Sequence, residues 1–248
     1  MKGKILGLIL AVVAFYTTSA QDATEIVRRA DQHMKGKTSF SEVDVSIVRP
    51  NWSREMSLKT WTKGNDFAMI LVTAPSRDKG IVYLKRKKEV WNWIPSIERN
   101  IKLPPSMMSQ SWMGTDFTND DLVKEASIVE DYYHRLIGTE KAGGRDSYVV
   151  EMLPKPESAV VWGKVILWVD VKDHMMMKAD YFDEDGELVN SMLCTEVREM
   201  GGRLLPSKMV MVPSDKKGHK TVLTYREIVF DLSVEDSFFT VQKMPFIK

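Results

Sequence analysis

The chain of 248 residues has a single cysteine, Cys194. A disulfide within the chain is therefore excluded, and a domain exported without one must rely on its core. Histidine is sparse as well. His33, His134, His174 and His219 are scattered, and no HExxH pair sets two of them on one helix face. No GxSxG elbow presents a serine nucleophile. Cys194 sits within an apolar strand pattern, where a small buried residue fits better than a nucleophile. A surplus of one charge sign is missing too: 35 Lys and Arg residues meet 34 Asp and Glu residues, so no bulk basic field attracts nucleic acid. These absences argue against an enzyme, a metal site or a bound cofactor.

Long apolar runs are confined to one place. Residues 5–15 are apolar and uncharged, follow Lys2 and Lys4, and lead into Thr17-Thr18-Ser19-Ala20. This reads as a cleavable secretory signal over residues 1–20, cut before Gln21. The run is shorter than the ~20 residues of a membrane-spanning helix; an uncleaved N-terminal anchor is the alternative. No cysteine follows the run, so no lipid-attached N-terminus is expected. Residues 21–248 are then expected to form one soluble, monomeric domain in a bacterial periplasm, with no permanent membrane anchor.

The chain after the signal opens with an amphipathic helix. Asp22 or Thr24 can cap it, Ile26, Ala30 and Met34 make its apolar stripe, and Lys35-Gly36-Lys37 stops it. Eleven strands at hairpin spacing follow, over residues 41–49, 54–62, 67–73, 80–84, 89–94, 147–153, 164–171, 175–182, 187–198, 204–212 and 220–230, with turns such as Gly143-Gly144, Asp185-Gly186 and Gly201-Gly202. Acidic Asp183 to Glu187 is better explained as a hairpin turn than as a calcium loop. Lys85-Arg86-Lys87-Lys88 is a basic turn that is either a solvated tip or a contact for lipid head groups. Residues 104–117 break the strand rhythm: Ser106 can cap a short helix after Pro104-Pro105, with Met108, Trp112 and Met113 near one face and Gly114 as its stop. A second short helix can start at Asn119-Asp120-Asp121.

Several strands, including Val90-Trp91-Asn92-Trp93-Ile94 and Val165-Ile166-Leu167-Trp168-Val169, are apolar on both faces. A sheet with one wet face alternates, so both faces here must be covered. The N-terminal helix can cover part of one; a second sheet, a closed barrel interior or an apolar cavity is expected for the other. The 16 methionines suit either a surface that accepts varied apolar partners or gap filling in a core.

Lys79-Gly80-Ile81-Val82-Tyr83-Leu84, Trp91-Asn92-Trp93-Ile94-Pro95 and the run Ser111-Trp112-Met113-Gly114-Thr115-Asp116-Phe117-Thr118-Asn119-Asp120-Asp121-Leu122 resemble the outer-membrane lipoprotein-sorting protein family (LolA-like). Arg145-Asp146-Ser147-Tyr148 and Trp168-Val169-Asp170 fall where that family has strands. The resemblance implies a mainly β (α+β) fold: a curved antiparallel sheet forming an incomplete barrel, with helices plugging its open side. It also implies a carrier of acylated lipoprotein or lipid cargo that works with an inner- or outer-membrane transfer partner. An envelope sensor or adaptor of the same fold, bound to a membrane-protein partner, is the alternative. On the carrier reading Met107, Met108, Trp112 and Met113 form a lid, and Trp61, Trp91, Trp93, Trp168 and Met209 contribute to the sheet lining; Trp91 and Trp93 share a face, so both line the cavity or neither does. One departure stands out. The family's lid-holding arginine in a Lys-Arg-Pro turn has no counterpart at Thr62-Lys63-Gly64, which leaves that lock without its residue and the cargo open.

Overall fold

The computed structural model describes residues 22–124 and 127–248; the expected signal, residues 1–20, lies outside the described residues. The first element is the helix α1 (Ala23–Lys35). Asp22 caps it by accepting from the Thr24 amide at 2.9 Å, and Gly36, at φ 65°, ends it by donating to the Gln32 carbonyl. Among the described residues no helix is long and apolar enough to cross a membrane.

Thirteen strands follow: β1 (Thr38–Arg49), β2 (Trp52–Lys63), β3 (Phe67–Ala74), β4 (Val82–Arg86), β5 (Glu89–Ile94), β6 (Arg99–Lys102), β7 (Tyr132–Ala142), β8 (Arg145–Pro154), β9 (Lys164–Asp170), β10 (Met176–Phe182), β11 (Leu188–Met200), β12 (Arg203–Pro213) and β13 (Lys220–Phe230). They form one curved antiparallel sheet in the order β6-β5-β4-β3-β2-β1-β13-β12-β11-β10-β9-β8-β7, which does not close. Two meanders are therefore joined side by side through β1 and β13, and the chain crosses from one edge to the other between β6 and β7. Two-residue hairpin turns of the kind that need φ above zero at both central positions occur at Gly143-Gly144 and Gly201-Gly202, where φ is 57° and 81°, then 57° and 76°.

The strand count exceeds the sequence expectation by β6 and β7, which are the two edges of the sheet. β6 is exposed along its whole length and β7 along most of it. With little burial, neither strand carries the alternation that marks a buried one.

Each face has its own cover. Val43, Val45 and Ile47 of β1, Met56 and Leu58 of β2, Ile70 and Val72 of β3, and Leu167 of β9 point to the face that packs on α1 and on residues 103–122. This is the helix face. The opposite face of β3 and β4 buries Met69, Leu71, Val82 and Leu84 against Phe239 and Met244 of the C-terminal segment. This is the tail face. The expected second sheet, barrel interior or cavity is thus replaced, over β2 to β5, by the end of the chain itself. Lys63 Nζ ties that segment down by donating to the Val234 carbonyl at 2.9 Å and to Asp236 at 2.6 Å.

Phe239 is fully buried, with ring centroids 5.4 Å from Phe67 and 5.2 Å from Phe238. Phe239→Ala should cost ~3–5 kcal/mol, the usual loss for a buried aromatic truncated to alanine. Urea titration checks this; a loss below ~1 kcal/mol would mean that the tail is not part of the core.

Candidate functional site

The connection between the two meanders runs across the helix face. It is less helical than expected. A single 3-10 turn spans Pro105–Met107 and a π-helical turn spans Asp120–Lys124; between them the backbone is held by local side chains. Ser111 Oγ donates to the Thr115 carbonyl at 2.6 Å, Thr115 Oγ1 donates to the Trp112 carbonyl at 2.7 Å, and Asn119 Nδ2 donates to the Met107 carbonyl at 2.9 Å. Short polar side chains that bond nearby backbone compete in this way with helix formation.

This segment drives Trp112 into the interior. The indole is fully buried, 5.7 Å from the Tyr83 ring. Met108 and Phe117 are buried beside it, and Met107 and Met113 are partly buried against the same cluster. A cavity of about 100 Å³ remains, bordered by Val43, Leu58, Ile70, Trp112 and Leu223. Ligand pockets are ~300–1,000 Å³, so with Trp112 in place this cavity is smaller than an ordinary ligand site. The plug carries a cost. Trp112 Nε1 is buried with no hydrogen-bond partner among the described residues. A buried indole N–H usually finds one, and leaving a donor unpaired costs ~1–3 kcal/mol.

Polar contacts hold the segment in place. Arg49 Nη1 meets Asp116 Oδ2 at 3.0 Å, with side-chain exposures of only 9% and 6%. Arg49 Nη2 donates to the Gly114 carbonyl at 2.8 Å. Thr221 Oγ1 accepts from the Asp116 amide at 2.9 Å and donates to its carboxylate at 2.7 Å. Asn190 Nδ2 donates to the Asp116 carbonyl at 3.2 Å. At the far end Asp121 accepts from the Thr118 amide at 2.8 Å and from Trp162 Nε1 at 2.8 Å. The arrangement is an apolar interior closed by a plug, with the plug clamped at Asp116 and Asp121.

A model of an uncharacterized-protein family matches residues 64–245. Solved structures with the same fold each superpose on 90% of this chain. They include a DUF1329 family protein from Desulfovibrio piger (24% identity, 97% of that chain, TM-score 0.80) and an outer membrane lipoprotein-sorting protein domain from Vibrio parahaemolyticus (19% identity, 98% of that chain, TM-score 0.79). A LolA superfamily protein from Nitrosomonas europaea is 25% identical over 99% of its length, with a TM-score of 0.76. The chain belongs to that uncharacterized-protein family, and it shares its fold with LolA superfamily and outer membrane lipoprotein-sorting proteins. No match is found among curated proteins.

Within this LolA-like frame the expected site residues divide. Met107, Met108, Trp112, Met113 and Met209 all join the helix-face cluster. Trp61, Trp91 and Trp93 lie on the tail face, packed on the Met69–Phe239–Met244 cluster. Trp61 is 5.3 Å from Phe40 and 5.6 Å from Phe238. Trp168 faces away from the helix-face cluster too, among Ala142, Val149, Met175 and Met177; its Nε1 donates to Glu140 at 3.1 Å and Lys178 sits 4.1 Å from its ring. These four tryptophans therefore share no lining with Met209. Strand alternation explains the division: Leu58 and Thr60 border the interior cavity, so Trp61 points the other way. Arg49, Asp116, Asp121 and Trp162, which hold this segment, carry no mark in the sequence. The pairs Arg49–Asp116 and Asp121–Trp162 are 67 and 41 residues apart along the chain, so no local spacing marks them.

Titration behaviour follows burial. Desolvation pushes the Asp121 carboxyl up, against hydrogen bonds from Thr118 and Trp162 that favour its charge. The same cause raises the Tyr83 phenol to about 12, with a smaller contribution from Asp78, and raises Tyr132 and Tyr181. A carboxyl raised in the folded state contributes stability while protonated, and that contribution is lost as pH rises from the ordinary carboxylate range through its raised value, although the bonds from Thr118 and Trp162 themselves favour the charged form. Among the described residues no group of three or more His, Cys, Asp or Glu side chains could hold a metal ion.

Cys194 is fully buried, and burial alone pushes its thiol up to about 12. The thiolate is the reactive form. Native protein at neutral pH should therefore leave a disulfide reagent unreacted over hours and consume one equivalent once unfolded in urea. Fast stoichiometric reaction of the native form would place Cys194 at an accessible site.

Proposed function

We propose that this chain is a periplasmic carrier that takes acyl chains of lipoproteins or lipids into its helix-face interior and shuttles them toward the outer membrane. One observation carries the reading: a fully buried tryptophan, on an irregular and clamped segment, fills the space in which an acyl chain would lie. The physical need is large. Each methylene withdrawn from water is worth ~0.8 kcal/mol, so one sixteen-carbon chain has ~12 kcal/mol at stake and does not cross an aqueous gap by itself. An apolar interior removes that penalty without a cofactor. Withdrawal of Trp112 opens it, and re-entry of Trp112 competes with cargo, so the protein can release what it binds.

Export to the periplasm would suit a shuttle. The acyl-bound state is expected to involve residues 104–121 as the moving part and a membrane-bound partner at each end of the journey. The test is to purify the protein from the envelope, extract it with solvent and titrate it with a fluorescent fatty-acid probe. Co-extracted lipid together with saturable probe binding is expected; absence of both would overturn the proposal. The adaptor reading is favoured by one observation, the small interior cavity of about 100 Å³. It predicts a stable complex with a membrane-protein partner and no lipid.

A further inference from the structure

Beside the end of α1 lies an open polar cleft of about 550 Å³. Four cationic side chains border it: Arg28, Lys35, Lys37 and Arg203. Three carboxylates border it too, those of Asp31, Glu130 and Asp231. We propose that this cleft receives the polar head of the bound lipid, and that the head it fits is zwitterionic, a phosphate beside an ammonium. The inference rests on the acyl-carrier reading and names the class of cargo.

Three observations lead there. First, the cleft adjoins the interior. Lys35 borders both the cleft and the apolar cavity, and its neighbour Met34 borders the cavity. Second, polarity is graded along the strands that run from one to the other. From Lys37 at the cleft, just before β1, the order is Ser39 and Ser41, then Val43. From Gly64 and Asn65 at the cleft, just after antiparallel β2, it is Thr62 and Thr60, then Leu58. The hydroxyls pair across the strands, Ser39 with Thr62 at 2.7 Å and Ser41 with Thr60 at 2.5 Å, so they form a collar between charged rim and apolar floor. A molecule with a charged head, a short ester region and a long apolar tail has that same order of polarity. Third, the length suffices. The eight steps of β1 from Ser39 to Ile47 run for ~26 Å at ~3.3 Å each. One leaflet of a ~30 Å hydrocarbon core holds its chains within ~15 Å.

The mixture of signs selects the head. Lys35 meets Asp31 at 2.8 Å and Arg203 meets Asp231 at 3.5 Å. A simple anion would have to draw these cations from their carboxylates and leave those carboxylates without their cations. A head carrying both signs exchanges partners with both members of a pair, phosphate to Lys or Arg and ammonium to Asp or Glu.

The test uses the whole exported chain with a fluorescent acyl probe bound. Competitors share one sixteen-carbon chain and differ in the head: lysophosphatidylethanolamine, the anionic lysophosphatidylglycerol and a neutral monoacylglycerol. The zwitterionic competitor should displace the probe at ~10-fold lower concentration than either other, the effect of about one net charge-assisted hydrogen bond. Lys37 and Glu130 are exposed, so Lys37→Glu and Glu130→Lys are expected to fold; each should abolish that ratio, and Lys37→Arg should keep it. Equal displacement by all three competitors, or a ratio that survives both charge reversals, overturns the head site and leaves the carrier standing. A preference for the anionic competitor overturns the zwitterionic assignment. Displacement by none of them overturns the carrier reading itself.

Discussion

Trp112→Ala should bind an acyl probe more tightly than the unaltered protein while losing ~3–5 kcal/mol of stability. The loss is the usual cost of truncating a fully buried aromatic side chain, and Trp112 has no exposed surface. The gain in binding has a different origin. If the binding-competent form is the one with Trp112 withdrawn, apparent affinity is reduced by the small fraction of molecules in that form. Deleting the indole removes the competitor and enlarges the cavity of about 100 Å³. Trp112→Phe separates the two effects. It keeps most of the filling and removes the orphaned Nε1–H, so its stability should stay within ~1 kcal/mol of the parent and its affinity should change little. Chemical denaturation and probe titration on the three proteins provide the check. Weaker binding by Trp112→Ala, with the fold intact by circular dichroism, would place the cargo elsewhere.

The second large effect is expected at the clamp. Arg49→Ala leaves the Asp116 carboxylate buried without its cation, and breaking one side of a buried pair costs ~3–5 kcal/mol. Thr221 keeps its bond to the carboxylate, which favours the lower end. Because the bond lost joins β1 to the plug, the damage should appear as local release of residues 104–121. Protease cutting within that segment should accelerate and acyl-probe uptake should become faster. Arg135→Ala is the contrast. Its partner Glu151 sits 2.7 Å away, but Arg135 is 72% exposed, so loss of the pair should cost ~0–1 kcal/mol and leave probe uptake unchanged. Equal effects from the two substitutions would show that Arg49 contributes only general stability.

What could be read from the residues, and what could not, follows from range. The helix α1 was legible because cap, stripe and stop lie within fifteen residues of sequence. The long strands were legible from Val43-x-Val45-x-Ile47 and from paired glycines at Gly143 and Gly201. β6 and β7 were not, because an edge strand exposed on both sides has no period to detect. Apolarity on both faces of β5 and β9 correctly required two covers. It did not reveal that Phe239 and Met244, after the last strand, supply one of them, since a short irregular tail carries no pattern that points to its target. That gap explains the misplacement of Trp61, Trp91 and Trp93: large aromatics in a sheet mark a buried face, and the tail face is one. Met107, Met108, Trp112 and Met113 were expected together, and the folded chain brings them into one cluster on the helix face. The hold on them differs from the family's arginine turn and comes from Arg49 and Asp116, a contact that only the folded chain brings together.

The claim at the centre is that an acyl chain enters by displacing the segment that carries Trp112. Hydrogen exchange measured by mass spectrometry, with and without a saturating sixteen-carbon lipid, tests it directly. Peptides covering residues 104–121 should exchange faster when lipid is bound, while those of β1, β2 and β13 stay as protected or gain protection. Lipid binding that leaves residues 104–121 as protected as in the free protein would contradict the account.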